Sequence, residues 1–345
     1  MLLGSDAYED DEQINSLASG RATPLQPKTM FISWMDHARA RDLADALGAE
    51  LYVPAHRLSR SHWALRYVVQ GLLTFLIVLR RRPDRIIFTN PPFVAGLPVL
   101  AAARIRGASV WCDAHSGAFN DDRWRRFARA NRFVLRRCAG TVLASARLGR
   151  ELEPGSATRT LIVASPPLQL RDRTPEVRPM IVATLGWAWD EPVAELLAAA
   201  RLAPDIEVVL TGRAPREVQR AAPTNCTFTG WLPREEYRAL LARATAVICL
   251  TTRDSTMQNG AYEAAEHGIP MILSGTGALR EYFDTGGVVF VGDHEPETLA
   301  SAIRTIVSQR TRYEREAQGA RATLVERSQS ACDELKRTMA GIGVG

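Results

Sequence analysis

Short apolar runs recur along most of this chain, each separated from the next by an amphipathic stretch long enough for a helix. That alternation constrains the fold more than any other feature. Strands joined through helices must return in parallel by right-handed crossovers, and the product is a doubly wound sheet covered on both faces. The strands read as Met30–Ser33, Glu50–Val53, Arg85–Thr89, Ala108–Cys112, Gly140–Ala144 and Thr160–Val163. Helices are expected over Arg39–Leu47, His62–Leu79, Val94–Arg104 and the basic stretch Arg123–Arg137. Pro166-Pro167 and the polar run Arg171–Pro179 mark a linker. The alternation then restarts, with strands at Met180–Thr184, Glu207–Leu210, Cys226–Thr229, Ala246–Leu250, Met271–Leu273 and Val288–Val291.

The expectation is therefore two doubly wound, Rossmann-like α/β domains, at 29–170 and 171–310, facing a cleft at the carboxyl ends of both sheets. Residues Met1–Lys28 are acidic, polar and without periodicity, and read as a disordered tail. The last stretch, Glu297–Met339, reads as helical, with residues 311–345 packing back across the first domain.

Composition narrows the function classes. No run of 18 apolar residues occurs, which argues against a membrane-spanning helix. The N-terminus lacks the pattern of a secretory signal, so the expected location is cytoplasmic. The five cysteines are scattered without CxxC pairing, which argues against a zinc site or a disulfide framework. No paired-carboxylate metal motif is evident, and neither a metal nor a cofactor is expected. Between Met30 and Leu170 there are 21 arginines against 10 acidic residues, a basic half suited to a polyanionic partner. Without a helix–turn–helix, zinc or RNA-binding signature, nucleic acid is not the expected one.

The most specific segment runs from Cys249 to Ser274. A buried strand ends in a polar loop containing Asp254, Ser255, Gln258 and Asn259, and a helix begins near Met257. Gly260 leaves backbone N–H groups free at that helix start, which suits a diphosphate. Glu263 follows within reach of a nucleotide ribose, and His267-Gly268 closes the helix before Pro270 opens the next strand. Patterning by itself leaves an ordinary strand–loop–helix–strand unit equally open. The run Glu263-Ala-Ala-Glu-His-Gly268-Ile-Pro270 resembles the donor-binding signature of GT-B glycosyltransferases, in particular the family-4-like branch of bacterial polysaccharide and glycolipid synthesis. The resemblance implies transfer of a sugar from a nucleotide-diphosphate donor to a saccharide or lipid-linked acceptor, with Glu263 binding the ribose. The family's first glutamate falls at Ser255 here, with Asp254 beside it as a substitute contact to the donor sugar.

Other pieces follow the same resemblance. The segment Phe228-Thr-Gly-Trp231-Leu-Pro233 is similar to the part that contacts the base, with packing as the alternative role for Trp231. Gly186 sits where the second domain opens its phosphate loop, but the family's basic pair is missing there. Arg213 and Arg280 are the expected replacements, because a guanidinium binds phosphate oxygens in pairs. In the first domain, Trp111-Cys-Asp113-Ala-His115-Ser-Gly117 follows a strand, and the resemblance puts His115 against the donor sugar. Asp113 either orients that imidazole or acts as base, and Asp36, in the loop after the first strand, is a second candidate base. The arginine-rich helices, with their aromatic and aliphatic neighbours, fit an anionic membrane surface and peripheral association. A sugar-nucleotide epimerase of the same fold and a non-catalytic sugar-nucleotide-binding subunit remain the alternatives.

Overall fold

The computed structural model describes residues 28–54, 63–152, 155, 159–165 and 173–341. The expected N-terminal tail up to residue 27, the Pro166-Pro167 pair and the beginning of the linker lie outside these residues.

The first sheet is built from β1 (Thr29–Ile32), β2 (Glu50–Tyr52), β3 (Arg85–Asn90), β4 (Ser109–Ala114), β5 (Gly140–Leu143) and β6 (Thr160–Ile162). Their order is β2-β1-β3-β4-β5-β6, and every pairing is parallel. The second contains β7 (Met180–Ala183), β8 (Glu207–Thr211), β9 (Cys226–Gly230), β10 (Ala246–Cys249), β11 (Met271–Ser274) and β12 (Val288–Val291). Its order is β12-β11-β10-β7-β8-β9, again all parallel. The strand order reverses at β1 in one sheet and at β7 in the other. Each reversal opens a crevice at the carboxyl ends of the strands, where ligands bind in such folds.

Burial on both faces explains why these strands are apolar runs and not alternating ones. On β3, Ile86 and Phe88 face one core while Ile87 joins Phe31, Trp111 and Val142 on the other side. On β7, Ile181 and Ala183 face one layer of helices, Met180 and Val182 the other.

Two expected helices are divided. The basic stretch Arg123–Arg137 forms Asp122–Arg125 and Ala128–Leu135. Asp121 caps the first piece by accepting from the Arg123 N–H, and Phe127 leaves helical geometry to pack its ring 5.9 Å from Phe93. The C-terminal stretch forms Pro296–Ser308 and the 32-residue helix Arg310–Gly341. That long helix sends Ala320 and Leu324 into the core of the second domain and Cys332, Leu335 and Met339 into the first. It therefore joins the two domains along their backs. On the cleft side, Arg234 pairs with Asp42, Arg147 with Asp254, and Asn120 donates to Ser255 Oγ at 2.7 Å. No helix among the described residues is long and apolar enough to cross a membrane.

Candidate active site

Two cavities open side by side in the cleft, of about 520 and 420 Å³, and His37 and Asn259 line both. The larger lies at the carboxyl end of the second sheet, walled by Thr184–Gly186 after β7, by Thr211 and Gly212 at the end of β8, and by the helix start at Gln258–Gly260. The helix Asn259–Glu266 starts at its wall with no side-chain cap, so its first N–H groups are unclaimed by a capping residue. Gly260 is required there: a Cβ would collide with the Thr184 side chain, so only glycine lets the helix start sit on the end of β7.

One turn on, Glu263 also lines this cavity, and its Oε2 accepts a 2.7 Å hydrogen bond from Tyr237 Oη. Burial pushes the Glu263 carboxyl up to about 7, against the lowering effect of the Tyr237 bond. Oε1 is left for a ligand, and vicinal ribose hydroxyls are donors of the right kind. Gln258 anchors the preceding loop by donating to Leu250 O at 2.8 Å, while its Oε1 is buried without a hydrogen-bond partner.

The loop after β7 is held under tension. Trp187 adopts φ +58, a left-handed conformation that costs a bulky residue of order 1–3 kcal/mol. Its indole Nε1 donates to Thr211 O at 2.9 Å and its ring packs on Phe228. Glu191 folds back so that its carboxylate accepts from the N–H groups of Gly186 and Ala188, both at 2.9 Å. Asp190 ties the same loop to the end of β10 by accepting from Thr251 Oγ1 at 2.7 Å. Gly186 lines the larger cavity, but its N–H already serves an internal carboxylate.

The smaller cavity belongs to the first domain. His115, at the end of β4, directs Nε2 at Asp113 Oδ2 over 2.9 Å. Asp113 is fully buried and also receives Arg39, whose Nε and Nη2 lie 3.2 and 2.9 Å from its Oδ1. Burial would raise this carboxyl, but Arg39 and His115 hold it well below the usual carboxylate range. Arg39 is buried too, and donates further to the carbonyls of Val163 and Ala164 beyond β6. An ionised Asp113 accepts from His115 Nε2–H, which leaves Nδ1 of that ring for a ligand. Asp113 is fully buried and lines neither cavity, a placement suited to orienting His115 and not to meeting a ligand as base.

His37, not singled out in the sequence, stands between the cavities. Its ring meets that of His115 edge to face at a centroid distance of 5.1 Å. Burial lowers its pKa to about 4, with His115 as the second cause.

The remaining expectations divide by placement. Asp36 lines the larger cavity but is ion-paired with Arg41, so it is not a free base. Trp231 lines it with 63 % of its surface exposed, the posture of a platform and not of a packed core residue. Ser255 is buried at the wall of the smaller cavity on Asn120. Asp254 lines neither cavity: its Oδ1 accepts from Gly277 N at 2.6 Å and its Oδ2 pairs with Arg147, which occupies both oxygens. Arg213 and Arg280 also lie outside both cavities. Arg213 is exposed, and Arg280 donates to Gly275 O and lies over the Phe290 ring. The cations that line the larger cavity are Arg41 and Arg234, from helices of opposite domains, each held by an aspartate of the first domain.

Comparison with known proteins separates fold from family. Sucrose-phosphate synthase from Thermosynechococcus elongatus superposes with a TM-score of 0.74 at 13% identity, over 92% of this chain and 100% of that one. An Anabaena protein solved with UDP and glucose gives 0.65 at 14% identity, over 90% and 92%. A putative UDP-N-acetylglucosamine 2-epimerase from Listeria monocytogenes gives 0.58 at 11%, over 90% and 94%. The chain has the GT-B fold. The model of the family described as "Glycosyl transferases group 1" matches residues 180–309. The second domain is similar to group 1 glycosyl transferase domains. A GDP-mannose-dependent alpha-(1-6)-phosphatidylinositol dimannoside mannosyltransferase of Mycobacterium tuberculosis is 30% identical over 152 residues, 42% of this chain. That match spans 39% of the mycobacterial protein's length. Among the GT-B neighbours is an epimerase, so the fold alone does not choose the reaction.

Proposed function

We propose that this GT-B protein transfers a sugar from a nucleotide-diphosphate donor to a hydroxyl of a saccharide or lipid-linked acceptor, without a metal ion, in glycoconjugate synthesis. One observation carries the reading. The cavity lined by Glu263 and the uncapped helix start adjoins, across His37 and Asn259, a second cavity lined by His115, whose Nε2 is held by the buried Asp113. A nucleotide in the first places its sugar at the second. In this reading Glu263 accepts from the ribose and Trp231 lies against the base. The diphosphate meets the helix start, Arg41 and Arg234. His115 offers Nδ1 to a hydroxyl of the sugar. Helix dipole and guanidinium groups neutralise the leaving diphosphate, as preorganised charge does in general.

The mycobacterial relative makes a guanosine donor the first to try. A thermal-shift screen of GDP-, UDP- and dTDP-sugars, with wild type beside Glu263→Ala, tests the donor site. Stabilisation by one series, lost in the variant, supports it; no shift with any nucleotide at millimolar concentration removes it. Binding without transfer to any acceptor favours a non-catalytic sugar-nucleotide-binding subunit.

A membrane-borne acceptor suits the first domain's outer surface. Leu65, Val68, Leu72 and Leu76, each more than half exposed, form one stripe along the helix Trp63–Arg81. Phe127 and Phe133 are exposed beside Arg125, Arg126 and Arg129. Apolar side chains framed by arginine bind anionic bilayers by burial and charge together. Sedimentation with phosphatidylglycerol vesicles, absent with phosphatidylcholine and weakened by Leu72→Asp, is the expected result.

A further inference from the structure

The loop after β1 holds a histidine whose proton can be placed by geometry alone. His37 is the N-cap of the helix Ala38–Leu47, and its Nδ1 lies 3.3 Å from the backbone N of Ala40. A backbone amide can only donate, so Nδ1 must be the accepting nitrogen and carry no hydrogen. The proton of the neutral ring is therefore on Nε2. That nitrogen is buried and has no hydrogen-bond partner. Leaving a buried donor without a partner is costly, and native structures carry that cost where a ligand completes the bond.

Position tells which ligand atom is meant. His37 belongs to the walls of both cavities, between the nucleotide side with Gly260 and Glu263 and the sugar side with His115 and Ser255. In a nucleotide sugar, the group that lies between nucleoside and sugar is the diphosphate. We infer that His37 donates its Nε2–H to an oxygen of the donor's diphosphate, next to the bond that breaks. The inference rests on the sugar-transfer reading given above and adds a first-domain contact to it. As the bond from the anomeric carbon to the phosphate oxygen breaks, its electron pair stays on that oxygen. The acceptor hydroxyl forms the new bond, and its proton leaves with the released diphosphate. His37 keeps its own proton throughout, and its hydrogen bond strengthens as charge collects on the phosphate. The imidazole compensates in part for the basic pair missing from the loop after β7, where Glu191 occupies the amides instead.

Two variants separate the cap from the donor. His37→Asn keeps a favoured N-cap side chain but is too short to supply the distal N–H, whereas His37→Ala loses both. The probes are GDP and guanosine, or UDP and uridine if wild type prefers uracil, titrated by calorimetry, followed by turnover of the matching nucleotide sugar. In His37→Asn the melting temperature stays near wild type, guanosine affinity is unchanged, GDP affinity falls about tenfold and turnover about a hundredfold. Unchanged GDP affinity and turnover overturn the inference while leaving the donor site intact. Equal losses for nucleoside and diphosphate also overturn it, since they mean His37 only shapes the loop. If wild type binds neither probe, the sugar-nucleotide reading falls and takes this contact with it.

Discussion

The two domains share one architecture but hold their chemistry in opposite ways. In the second, four residues that line the larger cavity, Gln258, Asn259, Gly260 and Glu263, come from one short segment set by a strand end and a glycine that fits under Thr184. In the first, Arg39 from one helix, Asp113 and His115 from β4, and the carbonyls after β6 converge from positions up to 125 residues apart. That segment is local in the chain, with Glu263 steadied by the Tyr237 hydroxyl. The first domain's site is long-range and its support is a buried ion pair. A local site tolerates loss of a side chain with little loss of fold, while a site built on a buried charge pair does not.

That difference can be broken by mutation. Asp113→Ala leaves the buried Arg39 uncompensated, and a loss of about 3–5 kcal/mol in unfolding stability is expected by denaturant titration. A loss under about 1 kcal/mol would mean that the pair is not the keystone of the first domain. Gly260→Ala forces the helix start off β7, for an expected cost of about 1–3 kcal/mol and a drop in nucleotide affinity larger than the stability loss explains. Glu263→Ala should leave stability within about 1 kcal/mol of wild type but weaken nucleoside binding on the order of tenfold to a hundredfold, read by calorimetry.

The smallest effect is in pH. Glu263 has a folded-state value of about 7, raised from the ordinary 4.5 chiefly by burial. Its protonated form is favoured in the empty protein, so its contribution to stability is full below about 4.5 and is lost as pH rises through about 7. Ribose hydroxyls bind the ionised form, so guanosine or uridine affinity should rise severalfold between pH 6 and 8. Glu263→Gln should flatten that slope. A nucleoside is the right probe because it has no phosphate to titrate in the same range.

The same contrast explains what could be read before the fold was known. Glu263, Gln258, Asn259 and Gly260 lie on one segment whose spacing carries its own geometry, and all four line the larger cavity. His115 is legible from the resemblance and from its place after a strand, and it lines the smaller cavity. Arg213 and Arg280 were chosen for their chemistry, but a lone guanidinium on a loop has nothing in its neighbours to say which way it points. Arg41 and Arg234 have the same chemistry and line the cavity because helices from two domains meet there. Asp254 faces Arg147 and the start of the helix Gly277–Phe283, contacts that no local pattern encodes.

The sequence alone determined the alternation of strands and helices, hence two parallel sheets with a cleft at their carboxyl ends, and the one segment whose residues act together because they are neighbours in the chain. Those follow from local periodicity and from the handedness of crossovers. The tertiary structure decided which charges are paired and which are offered to a ligand: Asp113 to Arg39, Asp36 to Arg41, Asp254 to Arg147, and His37 between two cavities. A side chain's state of charge and its free hydrogen bonds depend on what packs against it from distant parts of the chain, and only the folded chain brings those parts together.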